Sequence, residues 1–521
     1  MSQYLLTIDA GTGSGRAVLF DLNGNEIAIG QEEWTHSCEA AVPNSMGFDW
    51  EAGWALICRC VRQAIQTAGI DPGSIIGISA TSMREGIVLY DGDGRELWAV
   101  ANVDARADRE VKALKASEAG IEEDFYRESG QTFALGALPR LLWVKNNRPE
   151  LYAKAARISM ISDWVLAKLS GVIATDPSNA GTTGIFSLEQ RNWRPEMARR
   201  CGLRDDIFPE VFEPGVRIGE VSATAAAVTG LAAGTAVVMG GGDVQLGCAG
   251  LGVVNRGDAA VLGGTFWQQV VNIDAAVVPP SDMGIRVNPH VITGQSQAEG
   301  ITFFSGLVMR WFRDVFCVEE KAEGARRGVD TYRVLEEMAA QVPVGSHGIM
   351  PIFSDAMSYG KWYHASPSFI NLSIDPAVCN KASMFRSLQE NACIVSAINL
   401  ERISAFSGIN NDTLVFAGGA SKGFLWPQML ADVTGRRVKI PKVREATALG
   451  CAMAAGVGAG VYDSLAQAAG ALVVWEQEFQ PDRDNFARYA EIKQQWQQIY
   501  LKQLALVDEG LTTPMWKAPG L

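Results

Sequence analysis

Histidine is the scarcest of the chemistry-bearing residues in this 521-residue chain. The four present, His36, His290, His347 and His364, lack ligand spacing, so a histidine metal centre is not expected. The nine cysteines are an odd number and contain no C-x-x-C pair. That argues against a zinc ribbon or a disulfide framework and for reduced thiols in a cytoplasm. Basic charge is also short, with 45 Lys and Arg against 58 Asp and Glu, a net charge of −13. Binding to nucleic acid or to an anionic membrane is therefore not expected, and an anionic substrate would need a local basic patch. Long apolar runs are missing too. The most apolar long segment, residues 447–462, is short and dense in Gly and Ala, and reads as a tightly packed buried helix, not an inserted span. Met1-Ser2-Gln3-Tyr4 leads directly into a strand, so no signal peptide is expected and a cytoplasmic protein is.

Several nucleotide-binding signatures are also lacking. No G-x-x-x-x-G-K-[ST] occurs, nor a protein-kinase catalytic loop or D-F-G, which sets aside P-loop and protein-kinase architectures. A dinucleotide fold needs G-x-G-x-x-G opening a helix. Here Gly11-Thr12-Gly13-Ser14-Gly15 is followed by a second strand, which counts against hydride transfer.

Glycine, by contrast, is abundant at 54 residues, and its placement carries the argument. Strands expected over 4–8, 258–262 and 413–417 each run into a glycine-rich turn, at 11–15, 263–265 and 418–423. Exposed backbone N–H groups, with the hydroxyls of Thr12, Ser14 and Thr265, suit phosphate oxygens. Strand, glycine-and-threonine turn and returning strand recur near 7–21 and 258–273, so two halves on one plan are expected, although residue identity is too weak for a sequence repeat. Helices are expected over 50–68, 381–398 and 447–459. The spacing of Phe486, Tyr489, Ile492, Trp496 and Ile499 predicts an amphipathic helix docked on the body.

A third kind of stretch is 237–247, Val-Val-Met-Gly-Gly-Gly-Asp-Val-Gln-Leu-Gly. A buried strand ends in three glycines, whose backbones can take conformations closed to other residues and admit a ligand, and then in Asp243. Taken alone, Asp243 suits a helix cap as well as a general base. Asp9 ends the first strand beside the first phosphate turn, where it could hold Mg²⁺ through waters. Phosphate cradles, a carboxylate-anchored metal and a carboxylate base are the parts of in-line phosphoryl transfer. Arg84, Glu85 and Asp104 sit at other strand ends of the same half and could bind a small polar substrate. From spacing alone, Arg84 and Glu85 read as an exposed ion pair.

The ordered set 9–16 (Asp-Ala-Gly-Thr-Gly-Ser-Gly-Arg), Asp104-x-Arg106, Asp176-x-Ser178-Asn179-Ala180, 240–243, Gly264-Thr265, 418–422 and 446–450 resembles the FGGY carbohydrate kinases over nearly the whole chain. The resemblance implies an α/β fold of two ribonuclease H-like domains of the actin and hexokinase type, spanning 1–246 and 247–521, with ATP in the interdomain cleft. It carries the general base onto Asp243 and the metal onto Asp9. Nucleotide phosphate contacts fall on Gly11, Thr12, Gly13, Ser14, Arg16, Gly264 and Thr265. Adenosine-side contacts fall on Gly306, Gly418, Gly419 and Ala420. Substrate contacts fall on Arg84 and Glu85, with Asp104 and Gln245 beside them, and bulky Trp267 is expected to narrow the substrate pocket. Val244 stands where the glycerol kinase branch has glutamine. Stretches 82–86, 102–107, 263–269 and 516–521 resemble a branch that phosphorylates a terminal hydroxyl of a small carbonyl-polyol, 4,5-dihydroxypentane-2,3-dione. The alternatives are a pentulose or glycerol kinase and a non-catalytic actin-like regulator, which could dispense with Asp243. A homodimer is compatible with the sequence, and no stretch identifies a regulatory protein partner.

Overall fold

The computed structural model describes all residues except 1, 135, 276, 277, 280, 281, 356–362 and 519–521. The final three positions of the 516–521 stretch therefore lie outside the described residues.

Two large sheets organise the chain, and they share one topology. In the first, the strands are β1 (Tyr4–Ala10), β2 (Ser14–Asp21), β3 (Glu26–Glu33), β4 (Ile75–Ser82), β5 (Arg217–Glu220) and β6 (Ala236–Gly242). Their spatial order is β5-β6-β4-β1-β2-β3. In the second they are β7 (Ala259–Gly263), β8 (Trp267–Asp274), β9 (Arg286–Pro289), β10 (Gln295–Thr302), β11 (Thr413–Ala417), β12 (Arg437–Pro441) and β13 (Trp475–Phe479), in the order β9-β10-β8-β7-β11-β12-β13. In each sheet a three-stranded antiparallel meander is extended by two parallel strands, β4 and β6 beside β1 and β11 and β12 beside β7. The repeated plan expected from the sequence is present in the strand order. It survives where residue identity does not, because pairing depends on burial pattern more than on particular side chains.

Parallel neighbours require a crossover, and helix α1 (Trp50–Ala68) supplies the first. The Asp49 carboxylate accepts the Ala52 N–H at 3.0 Å, and Gly69 closes the helix at φ 63°. Its buried face, with Leu56, Ile57 and Val61, covers the sheet. Contact with β3 is so close that a side chain at Gly30 would sit 2.0 Å from the Cys60 carbonyl oxygen.

Helices α2 (Asp243–Gly250) and α3 (Ala446–Gly458) join the halves. They cross backbone to backbone. A Cβ at Gly450 would lie 1.9 Å from the Leu246 carbonyl oxygen, and one at Gly250 2.0 Å from that of Ala446. The apolar segment near 447–462 is thus an interhelical packing device, its helix buried against β1 residue Leu5 and β2 residues Val18 and Phe20. Among the described residues no helix is long and apolar enough to cross a membrane. Near the end, helix α4 (Arg483–Asp508) buries Tyr489, Ile492, Trp496 and Tyr500 against the second core.

Candidate active site

The carboxyl ends of β1, β4 and β6 lie side by side. Asp9 is opposite Thr81, and Thr81 opposite Gly241, so two strand spacings, about 10 Å, separate the column of Asp9 from that of Gly241. The three glycines before Asp243 are explained by crowding. A Cβ at Gly240 would stand 1.8 Å from the Ala80 carbonyl oxygen, and one at Gly241 2.7 Å from Val291 Cγ1 and 2.9 Å from Ser178 Oγ. None of the three takes a positive φ. The conformational freedom expected from sequence is therefore not what they supply; they permit close approach, at a register shift between Val238 and Gly241. Behind them, Ser178 Oγ accepts the Gly242 N–H at 2.8 Å and donates to Asp176, which accounts for the Asp176-x-Ser178-Asn179 stretch as a brace.

Asp243 opens α2 as its first residue, with Gly242 at the cap position. It is no side-chain cap of a distant N–H, since its Oδ1 accepts only the next residue's amide, at 2.8 Å. The carboxylate keeps 41% of its side-chain surface open and has Arg84 Nε at 3.8 Å. Enclosure by the cleft walls lifts its pKa to about 6, the Arg84 cation opposes the rise, and the Asp9 and Glu85 charges add to it. Asp9 is raised as well, chiefly by burial, with Arg16 working against the shift.

Arg16 rests on Asp9 and reaches Glu445 Oε2 at 2.7 Å. It ties the first hairpin to the residue preceding α3. The first glycine turn is tight, with the Gly11 N–H donating to the Ser14 carbonyl at 3.0 Å. Thr12 and Gly13 are exposed at its tip, and Thr12 Oγ1 accepts Asn102 Nδ2 at 3.1 Å.

The other two turns converge. A cavity of about 570 Å³ is lined by Gly264, Thr265, Gly306, Gly419 and Ala420 together with Arg310, Arg313, Arg333 and Lys422. A Cβ at Gly306 would meet the Gly264 carbonyl oxygen at 2.2 Å, so the helix Ser305–Phe316 can start against the second turn only with glycine there. Gly418 needs its glycine for backbone reasons, at φ 98°. These cations share the lining with Asp330 and Glu336, and Arg313 and Arg333 are already paired with Asp314 and Glu337, so the cavity is mixed in charge.

Arg84 and Glu85 are not an exposed pair. Arg84 is buried and donates from Nη1 to Glu299 Oε1 at 2.7 Å. Glu85, at φ 65°, meets Arg286 Nη2 at 2.5 Å. Burial alone would raise the Glu85 pKa, but Arg286 and Arg84 hold it below the usual range. Both partners come from the second sheet. Sequence reasoning missed Glu299 and Arg286, because Gln295–Thr302 is buried on both faces with polar Gln297 and Glu299 within it, so no apolar alternation marks the strand.

Three expected substrate contacts are buried side chains already engaged within the protein. Asp104 is wholly buried, bonded to the Met46 N–H at 2.6 Å and to Arg106 Nε at 2.9 Å; it orders a loop and is not presented to the cleft. Trp267 is fully buried between Phe416 and Trp426, at ring separations of 5.2 and 4.7 Å. Strand alternation turns it into the core and leaves Phe266 exposed beside the turn. Gln245 is buried too, its Nε2 donating to Glu299 Oε1 at 2.7 Å.

Residues 4–250 match the N-terminal domain of the FGGY family of carbohydrate kinases, and residues 280–459 its C-terminal domain. The chain is 60% identical over 519 residues to autoinducer-2 kinase of Klebsiella pneumoniae, covering 99% of this chain and 97% of that protein. It is 58% identical over 520 residues to autoinducer-2 kinase of Photorhabdus laumondii, covering 100% and 98%. Among solved structures, ligand-bound xylulose kinase from Lactobacillus acidophilus aligns with a TM-score of 0.84 at 19% identity, covering 97% of this chain and 98% of that one. Plasmodium falciparum glycerol kinase with ADP aligns with a TM-score of 0.84 at 19% identity, covering 96% and 98%. Two sheets of one topology, a cleft-facing carboxylate and matches to both domains of the family lead to one conclusion: the chain belongs to the FGGY family of carbohydrate kinases.

Proposed function

We propose that this chain transfers the γ-phosphoryl group of ATP to the terminal hydroxyl of 4,5-dihydroxypentane-2,3-dione, the linear autoinducer-2 precursor. The observation that carries the reading is identity of 58–60% along essentially the full length of proteins named autoinducer-2 kinase. The geometry is compatible with it. Asp243 accepts the hydroxyl proton as the oxygen attacks, Arg84 and Glu85 orient the acceptor, and the turns at 11–14 and 264–265 hold phosphate oxygens from opposite sides. The 570 Å³ cavity takes the nucleoside end. A pKa near 6 leaves Asp243 ionised at neutral pH yet basic enough to accept a proton.

Asp9 offers a single buried carboxylate with a cation resting on it. That donor set fits Mg²⁺ that keeps its waters and is otherwise held by nucleotide phosphates. Bound there, Mg²⁺ would neutralise charge on the transferred group. The division of labour follows a boundary near 246/247, with acceptor and base in the first domain and adenosine in the second.

The test is ATP consumption with dihydroxypentanedione beside xylulose, ribulose and glycerol. Preference for dihydroxypentanedione is expected. Faster turnover of a pentulose or glycerol would replace the substrate, and no turnover of any of them would favour a regulator.

A further inference from the structure

Buried polar side chains normally use all their oxygens, and departures mark places where something other than stability is at work. One such place lies beneath Asp243. Glu299, on β10, is completely buried. Its Oε1 accepts both Arg84 Nη1 and Gln245 Nε2, each at 2.7 Å. Among the described residues its Oε2 has no partner, and neither has Gln245 Oε1. A pair built for stability alone would divide two donors between two oxygens. Here both donors are drawn to one oxygen, and the result is a guanidinium anchored from the side away from the base.

The opposite edge of that guanidinium faces the cleft, with Nε 3.8 Å from Asp243 Oδ1. The Arg84 stem is also hemmed in. A Cβ at Gly242 would lie 3.3 Å from its Cγ and Cδ, and 2.9 Å from Gln245 Oε1. Arg84 is therefore held at its stem by the chain that carries the base and at its head by a carboxylate from the other sheet. We propose that Glu299 is a positioning residue of the acceptor site, supplied by the second sheet, which fixes the Arg84 guanidinium so that its free edge meets the acceptor beside Asp243. The acceptor site is then complete only with β10 seated against residue 84, although Arg84, Glu85 and Asp243 all belong to the first half.

The inference rests on the acceptor-site reading given above, and the two can fail separately. The full chain is assayed with dihydroxypentanedione and ATP as wild type, Glu299→Gln, Arg84→Gln and the double variant. Glu299→Gln keeps the shape but loses the charge. It is expected to raise the acceptor KM by about tenfold to a hundredfold, the usual worth of a charged hydrogen bond. The ATP KM should stay within about twofold, since uniform loss of binding would be confined to the acceptor. If Glu299 acts through Arg84, the double variant is no worse than Arg84→Gln alone. A wild-type acceptor KM in Glu299→Gln, or losses that multiply in the double variant, would overturn the proposal. Should Glu299→Gln not fold, Glu299→Asp is measured in its place, with a partial rise in acceptor KM expected. A wild-type KM there, or failure of both variants to fold, overturns the proposal by assigning Glu299 to stability. A wild-type acceptor KM in Arg84→Gln refutes the acceptor-site reading itself.

Discussion

Replacing Gly240 by alanine is the sharpest test of how the base is placed. The new methyl would stand 1.8 Å from the Ala80 carbonyl oxygen, where ordinary contact begins at 3.4 Å, so β6 must back away from β4 by about 1.6 Å. The obstacle is main chain within a sheet and cannot swing aside. Overpacking of this kind costs about 1–3 kcal/mol, with the upper end expected against backbone. At about 2–4 °C per kcal/mol for a domain of this size, melting should fall by roughly 6–12 °C. The effect on catalysis has a separate origin. Asp243 lies three residues along the same strand end, and a base displaced by about 1 Å loses on the order of a hundredfold in rate. Circular-dichroism melts give the first quantity, and ADP-coupled turnover well below the melting temperature gives the second. Gly13→Ala is the control, because nothing lies within 4 Å of its Cβ position; it should melt as wild type. Wild-type melting and turnover in Gly240→Ala would refute the crowding argument.

Asp243→Asn should lower kcat by about 10²–10⁴-fold, the worth of a general base, while calorimetry still detects nucleotide binding; full activity would remove Asp243 from the mechanism. The acid limb of kcat/KM should fall near pH 6. Asp243 works deprotonated, so activity is present above that pH and declines as pH drops through it. In Arg84→Gln the cation that holds this pKa down is gone, and the limb should move upward; a flat profile between pH 7 and 5 would contradict both statements. Asp104→Asn should act on stability first. Arg106 would lose its fully buried partner while keeping Glu39, at a cost of about 1–3 kcal/mol, and an unchanged melting temperature with a raised acceptor KM would return Asp104 to the substrate site.

What the sequence displayed and what it concealed divide along physical lines. Helix α1 was legible end to end, because Asp49 and Gly69 punctuate a period-3.6 stripe. The strand–turn–strand units were legible because apolar runs stop at glycines. The strands Arg286–Pro289, Gln295–Thr302 and Arg437–Pro441 gave no such signal. Gln295–Thr302 buries Gln297 and Glu299, so its inward face is polar and reads as loop. Trp267 was misplaced for a related reason: sequence puts it next to the phosphate turn, but only strand parity decides which of Phe266 and Trp267 faces out. Asp104 was misplaced because a carboxylate at a strand end looks the same whether it awaits a ligand or is already engaged by Arg106.

The cleft holds its charges in pairs, and this bears on how an acidic protein accepts a nucleotide. Arg16 rests on Asp9, Arg84 on Glu299 and Arg286 on Glu85. Two of these pairs are cross-sheet, Arg84–Glu299 deeply buried and Arg286–Glu85 largely so, and breaking the first would strand a charge out of water. The Arg16 pair differs. Its guanidinium keeps 25% of its side-chain surface exposed and already divides itself between Asp9 and Glu445. It sits two residues past the exposed phosphate turn, so an arriving phosphate can replace Asp9 as its counter-charge at little desolvation cost. Of these three arginines, the one placed to exchange partners is therefore Arg16, while Arg84 and Arg286 are each held by a carboxylate across the two sheets.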